Sequence, residues 1–227
     1  MQNALIVFAK LPAPGAVKTR LTPTLSPAEA ARLYEAFLRD ALGQYLHLDV
    51  VVRLYLAPPA EAVPRYLSAL PISIHTQHGD DLGARMLHAI EETLADGAAR
   101  AAVIGTDHPT LPTPFIQQAF AALEGPPTIT IGPSADGGYY LLGMNAAYPV
   151  LFEGMAYSHP RVFADTLDRA RQTSAQLTVL PRWYDVDTPA ALTRLIQDLQ
   201  DPSVTAPKTR KAIAALNIEA RLPATGC

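Results

Sequence analysis

The chain has 227 residues, 49% of them hydrophobic and 17% charged, which is enough to bury one sizeable core and far from a disordered composition. A net charge of −3 and an isoelectric point near 6.0 speak against a nucleic-acid binder, and the single cysteine, Cys227, excludes an internal disulfide and a cysteine-based metal site. No apolar run approaches the roughly 18 residues of a membrane span, and the chain opens on an apolar stretch without a basic leader, so the expected location is the cytoplasm.

Ala4–Ala9 is a short run of Leu, Ile, Val and Phe that breaks at Pro12, Pro14 and Gly15, and it reads as a buried strand followed by a turn. Lys18 and Arg20 come next. If the chain is extended there, the two point to one side, and no Asp or Glu before Glu29 neutralises them. Such a loop suits a phosphate or diphosphate; the plainer alternative is a pair of solvated charges. It is neither a Walker loop nor a G-x-G-x-x-G turn.

Ser26-Pro27-Ala28-Glu29 predicts a helix start with Ser as N-cap, Pro at N1 and Glu closing a capping box. Leu33, Phe37, Leu38 and Ala41 continue at helical spacing until Gly43. Further strands are expected at 49–57, 71–76, 101–105, 128–131, 139–144 and 177–180. Helices are expected at about 60–70, 81–90, 113–123, 160–171 and 189–199, with a weaker helical pattern at 208–216. Strands alternating with helices imply an α/β fold with a mostly parallel central sheet covered by helices. One domain over residues 1–200 and a partly helical tail over 201–227 follow from this pattern.

Three acidic stretches stand next to strand ends. Asp107 follows the AAVIGT strand, where ligands collect in open α/β sheets, so it is placed to meet a cation or substrate; otherwise it caps the helix that Pro112 and Pro114 enter. His108 beside it reads as a packing or turn residue. Asp136-Gly137-Gly138 joins a carboxylate to two glycines that permit close backbone approach to a ligand, and it is also a strong hairpin-turn signal. Asp185 and Asp187 could share a face as oxygen ligands to Mg²⁺ or Mn²⁺, while Asp187 or Thr188 caps the helix that begins at Pro189. Trp183 and Tyr184 suit either stacking on a base or sugar, or anchoring the core.

FAKLPAPGAVKTRL, QHGDDLGARM, IGTDHPTL, GPSADGGYYLLGM and WYDVDTPAAL occur in the order that resembles the DUF2064 proteins, glycosyltransferases akin to those of arsenosugar biosynthesis, over about residues 4 to 200. The resemblance implies the GT-A (nucleotide-diphospho-sugar transferase) fold, with Pro14, Gly15, Lys18 and Arg20 around the nucleotide phosphates; Gly137 and Gly138 are candidate ligand-binding residues on the strength of their own turn. Asp107 would stand where the fold's metal-binding Asp stands, Asp187 would be a second ligand to Mg²⁺ or Mn²⁺, and His108 replaces the small residue or Cys expected there. The implied activity is metal-dependent sugar transfer from a nucleotide-diphosphate sugar to a small-molecule acceptor; in an inverting reaction the acceptor hydroxyl would need a base, for which Asp136 is the candidate. The alternatives are a nucleotidyltransferase of the cofactor-guanylyltransferase type and a non-catalytic nucleotide-binding protein. The loop of the guanylyltransferases is glycine-rich, whereas here it keeps only Gly15 between prolines that lack an N–H, which favours holding a diphosphate by side-chain charge.

Overall fold

In the computed structural model, residues 2–22, 24–60 and 62–222 are described. Seven strands, β1 (Asn3–Ala9), β2 (Val51–Leu56), β3 (Ser73–Thr76), β4 (Arg100–Ile104), β5 (Thr128–Pro133), β6 (Tyr139–Met144) and β7 (Gln176–Val179), form one sheet in the order β3-β2-β1-β4-β6-β5-β7. β6 runs antiparallel to β4 and β5, and the other pairings are parallel. The helices are α1 (Pro27–Tyr45), α2 (Arg65–Ser68), α3 (Leu82–Ala95), α4 (Thr113–Ala122), α5 (Val162–Ala170), α6 (Pro189–Asp198) and α7 (Pro207–Ala215). The expected α/β fold with a mostly parallel sheet is the one observed.

By packing, the chain forms two compact units: residues 1–11, 45–105 and 112–184, and residues 12–44, 106–111 and 185–227. The first contains the whole sheet. Its inner strands are apolar almost without interruption because both faces are covered: β5 is buried throughout. On one face Ile6, Val103, Ile129 and Leu142 pack with Met86 and Ile90 of α3 and with Phe152 and Ala170. α4 packs on β4 and β5 and buries Ile116, Ala119 and Phe120. Each of the larger of these side chains, the Ile, Leu, Val, Met and Phe residues, contributes roughly 1.5–3 kcal/mol by leaving water. The edge strands β3 and β7 have four residues each and are half-exposed, which limits pairing with other chains. The chain leaves β1 and β4, which are adjacent and parallel, at the same sheet edge, and the loops that follow carry Lys18 and Asp107.

The second unit is built on α1. Ser26 N and Oγ donate to Glu29 Oε2 (2.8 Å each), closing the capping box, and Arg221 Nη1 sits 2.8 Å from Glu29 Oε1. α1 continues past Gly43, where nothing crowds the backbone, and ends on the fully buried Tyr45. Asp40 accepts from Lys208 N (3.0 Å) and Thr209 N (2.7 Å), so a side chain of α1 caps α7. Arg210 donates to the carbonyls of Leu199, Asp201 and Val204 at the end of α6, and Ile213, Leu216 and Ile218 are buried. Among the described residues no helix is long and apolar enough to cross a membrane.

The Glu29 box gives an acid-stability signature. The Ser26 backbone N–H, then the Ser26 hydroxyl and Arg221, hold the Glu29 carboxyl at about 2, below its ordinary 4.5. A depressed carboxyl stabilises the fold above its unfolded value and loses that contribution as pH falls from 4.5 towards 2. The melting temperature of wild type should therefore exceed that of Glu29→Gln at neutral pH, and the difference should shrink across this window. A pH-independent difference would assign the effect to packing.

Candidate functional site

The loop after β1 turns at Gly15, whose φ of 78° lies in the left-handed region, and Ala16 N donates to Ala13 O (3.1 Å). The chain is not extended beyond it. Lys18 itself is left-handed (φ 50°, ψ 35°) and enters a 3-10 turn over Thr19–Leu21 that is pinned by the buried Leu21. Lys18 and Arg20 consequently part company: Lys18 is buried and Arg20 is exposed. Pro14 and Gly15 are also exposed.

Lys18 is not neutralised locally but at long range. Its Nζ lies 2.6 Å from Asp107 Oδ1 and 2.8 Å from Asp187 Oδ1. The Lys18 side chain is 2% exposed, while those of Asp107 and Asp187 are 43% and 34% exposed. The ammonium also lies 5.9 Å from the Tyr34 ring centroid and 5.5 Å from that of Phe37, two faces of negative quadrupole presented by α1. Burial alone would lower the Lys18 pKa. The charges of Asp107 and Asp187 and their hydrogen bonds outweigh it, so the pKa stands above 10.5 and Lys18 is an ammonium at neutral pH.

Neither Asp serves as a helix cap. The α6 cap is Thr188, whose Oγ1 accepts from Ala191 N (3.2 Å), and the α4 N-cap position is Pro112 with no side-chain bond. The two loops are laced together by Val186 N donating to Asp107 O (2.8 Å). Asp185 faces elsewhere: its Oδ1 is 3.3 Å from Nδ1 of the buried His108. Tyr34 and Thr106 share a hydroxyl–hydroxyl bond of 3.0 Å. Gln44 Nε2 donates to Pro109 O (2.9 Å) and Thr205 O (2.8 Å), fixing the end of the Asp107 loop.

Asp136, Gly137 and Gly138 belong to the sheet unit and form the turn between β5 and β6. Asp136 Oδ1 accepts from Gly138 N (2.9 Å). Gly137 has φ 92°, and a Cβ there would lie 2.0 Å from Pro160 O, so the close approach at this glycine is made by the Pro160 backbone. Gly138 has only Asp136 nearby. Trp183 packs edge-on to Phe115 (5.8 Å) and against Tyr184 (5.5 Å), and Tyr184 is buried, so this pair anchors the core.

The structure thus joins Lys18, Asp107 and Asp187 directly. Among the described residues no three His, Cys, Asp or Glu side chains gather as a ready-made metal centre. Two carboxylates meeting on one cation are, however, the protein's usual share of a site whose remaining ligands are phosphate oxygens and water. Tyr34 and Phe37 lie three apart on α1, a spacing that put them on one face but gave no hint that the face receives a lysine.

Residues 40–159 match the family described as "Uncharacterized protein conserved in bacteria (DUF2064)"; Asp107 lies within that stretch and Lys18 and Asp187 outside it. A structure from Desulfovibrio desulfuricans G20, described provisionally as a nucleotide-diphospho-sugar transferase, is similar with a TM-score of 0.88 at 30% identity, covering 97% of this chain and 99% of that one. A 4-diphosphocytidyl-2C-methyl-D-erythritol synthase from Anaerococcus prevotii DSM 20548 (TM-score 0.56, 11% identity) and a nucleotidyl transferase from Methanothermobacter (0.56, 15%) share the fold, each covering 88% of this chain and 98% of their own. No curated protein matches the chain. The fold is that of the nucleotide-diphospho-sugar transferases.

Proposed function

This chain belongs to the DUF2064 family, and we propose that it is a glycosyltransferase that moves a sugar from a nucleotide-diphosphate donor to a small-molecule acceptor with the help of Mg²⁺ or Mn²⁺. The observation that carries the proposal is the convergence of Asp107 and Asp187 on one positive charge. Half-exposed carboxylate oxygens fit a hard divalent cation, and the Lys18 ammonium between them stands where such a cation would be held. When bound, the cation supplies charge stabilisation for the departing diphosphate.

In the reaction the acceptor oxygen bonds to the anomeric carbon as the carbon–oxygen bond to the diphosphate breaks. The nucleoside diphosphate leaves with the electron pair, and the proton of the acceptor hydroxyl passes to solvent. Negative charge therefore grows on the diphosphate, where preorganised cations lower the barrier most. Lys18 and the exposed Arg20 supply such charge from the loop after β1. That loop is poor in free backbone donors: Pro12 and Pro14 have none, and Ala16 N is already engaged. It is better suited to gripping a diphosphate by side chains than to wrapping a triphosphate, which favours sugar transfer over nucleotidyl transfer.

Incubating the protein and Mn²⁺ with UDP- and GDP-sugars in parallel with nucleoside triphosphates tests this. Release of nucleoside diphosphate from one of the sugars is expected; release of pyrophosphate from a triphosphate would replace the reading with nucleotidyl transfer. Arg20→Ala should weaken donor binding by roughly 10- to 150-fold, the loss of one charge-assisted hydrogen bond. Arg20→Lys should not restore it fully, since an ammonium cannot reach two phosphate oxygens as a fork does. A nucleoside without phosphates should bind both variants as it binds wild type.

A further inference from the structure

We infer that Lys18 is the resident counter-ion of the two carboxylates, and that the site accepts a divalent cation only together with a diphosphate that takes over the Lys18 ammonium. The inference rests on the metal-dependent reading above and adds an order to it. Its basis is geometric. Asp107 and Asp187 are the two side chains that meet here, and both are already spent on one nitrogen, at 2.6 and 2.8 Å. A cation held by the same oxygens and the Lys18 ammonium cannot share that position: they would be in contact with like charge and little water between them, since the Lys18 side chain is 2% exposed.

The ammonium therefore has to move when a cation enters, and moving it alone would strip a buried charge of both its partners. A diphosphate removes that obstacle, because its oxygens offer Lys18 new charge-assisted bonds while completing the cation's shell beside two carboxylates. The Lys18 backbone sits in the left-handed region that a side-chain-bearing residue rarely adopts, at the start of the 3-10 turn over Thr19–Leu21. The ring centroids of Tyr34 and Phe37 on α1 lie 5.9 and 5.5 Å from the ammonium.

By linkage, diphosphate and cation must each raise the other's affinity, and Lys18 must be a large part of that coupling. Free Mn²⁺ measured by electron paramagnetic resonance, with and without UDP or GDP, tests this on wild type, Lys18→Met and Asp107→Asn. Without nucleotide, Lys18→Met should bind Mn²⁺ at least roughly 10-fold more tightly than wild type, because no charge-assisted bond has to be broken first. The enhancement given by the nucleotide should be smaller in Lys18→Met by about the same factor. Equal affinity of wild type and Lys18→Met for Mn²⁺ alone, lost in Asp107→Asn, would overturn the exchange while leaving the cation site standing. Absence of Mn²⁺ binding in wild type and Lys18→Met, with nucleotide as well as without, would overturn both. The wild-type protein gives a second readout that needs no variant to fold. The slowly exchanging ¹⁵N ammonium signal of Lys18 should persist in Mg²⁺ alone and shift when UDP or GDP is added with Mg²⁺. An unmoved signal in the ternary mixture would contradict the exchange.

Discussion

Replacing Asp107 and Asp187 together by asparagine is expected to destabilise the protein by about 3–5 kcal/mol in urea unfolding, because it leaves the buried Lys18 ammonium without a counter-charge. The lower half of that range is the better expectation, since both carboxylates are more than a third exposed and water already screens part of the pair. Either single substitution leaves one carboxylate in place and should cost less, about 1.5–3 kcal/mol for the lost charged hydrogen bond. The decisive comparison adds Lys18→Met to the double variant. With no buried charge left to compensate, stability should return most of the way to wild type. A double variant within about 1 kcal/mol of wild type would mean that the ammonium finds water or another partner when its acids are removed.

Asp107→Asn should reduce metal-dependent turnover by at least about 100-fold while the protein remains folded at 25 °C, the scale found when one preorganised stabiliser of transition-state charge is removed. The asparagine keeps the size of the side chain and its neighbours, but not the charge a divalent cation requires. Because α4 starts at Pro112 without a side-chain cap, the loss cannot be ascribed to an unravelled helix start. Turnover per folded molecule is the quantity to measure, over a range of Mn²⁺ concentrations. A loss that merely follows the unfolded fraction would make Asp107 a structural partner of Lys18 and nothing more.

What was legible in the sequence were the features encoded within a few residues. The Ser26–Glu29 box, the strand at Tyr139–Met144 and the Asp136–Gly138 turn stand as their local chemistry predicts. Asp107 and Asp187 were legible as carboxylates beside strand ends, but not their shared partner, because Lys18 meets Asp187 across 169 residues and no local pattern encodes such a pairing. The lack of an acid near Lys18 even pointed the wrong way, towards an unneutralised cation. The extended course after Gly15 failed for a related reason. A left-handed lysine has no glycine or asparagine to announce it, and it is tertiary pairing of the buried ammonium with two half-exposed carboxylates that holds it there. The choice between Asp187 and Thr188 as cap was undecidable from types alone, since both are good caps; it fell to Thr188 once Asp187 was drawn to Lys18.

Thermal unfolding with a panel of UDP- and GDP-sugars, each with and without Mn²⁺, tests the central claim most directly. A nucleotide sugar present at about 100 times its dissociation constant adds about 2.7 kcal/mol of stability. The expected result is a clear rise in melting temperature for one nucleotide-sugar class in the presence of Mn²⁺, a much smaller rise without it, and no rise in Asp107→Asn. The same rise with and without Mn²⁺, undiminished in Asp107→Asn, would contradict a cation held by Asp107 and Asp187 and with it the metal-dependent transfer proposed for this protein.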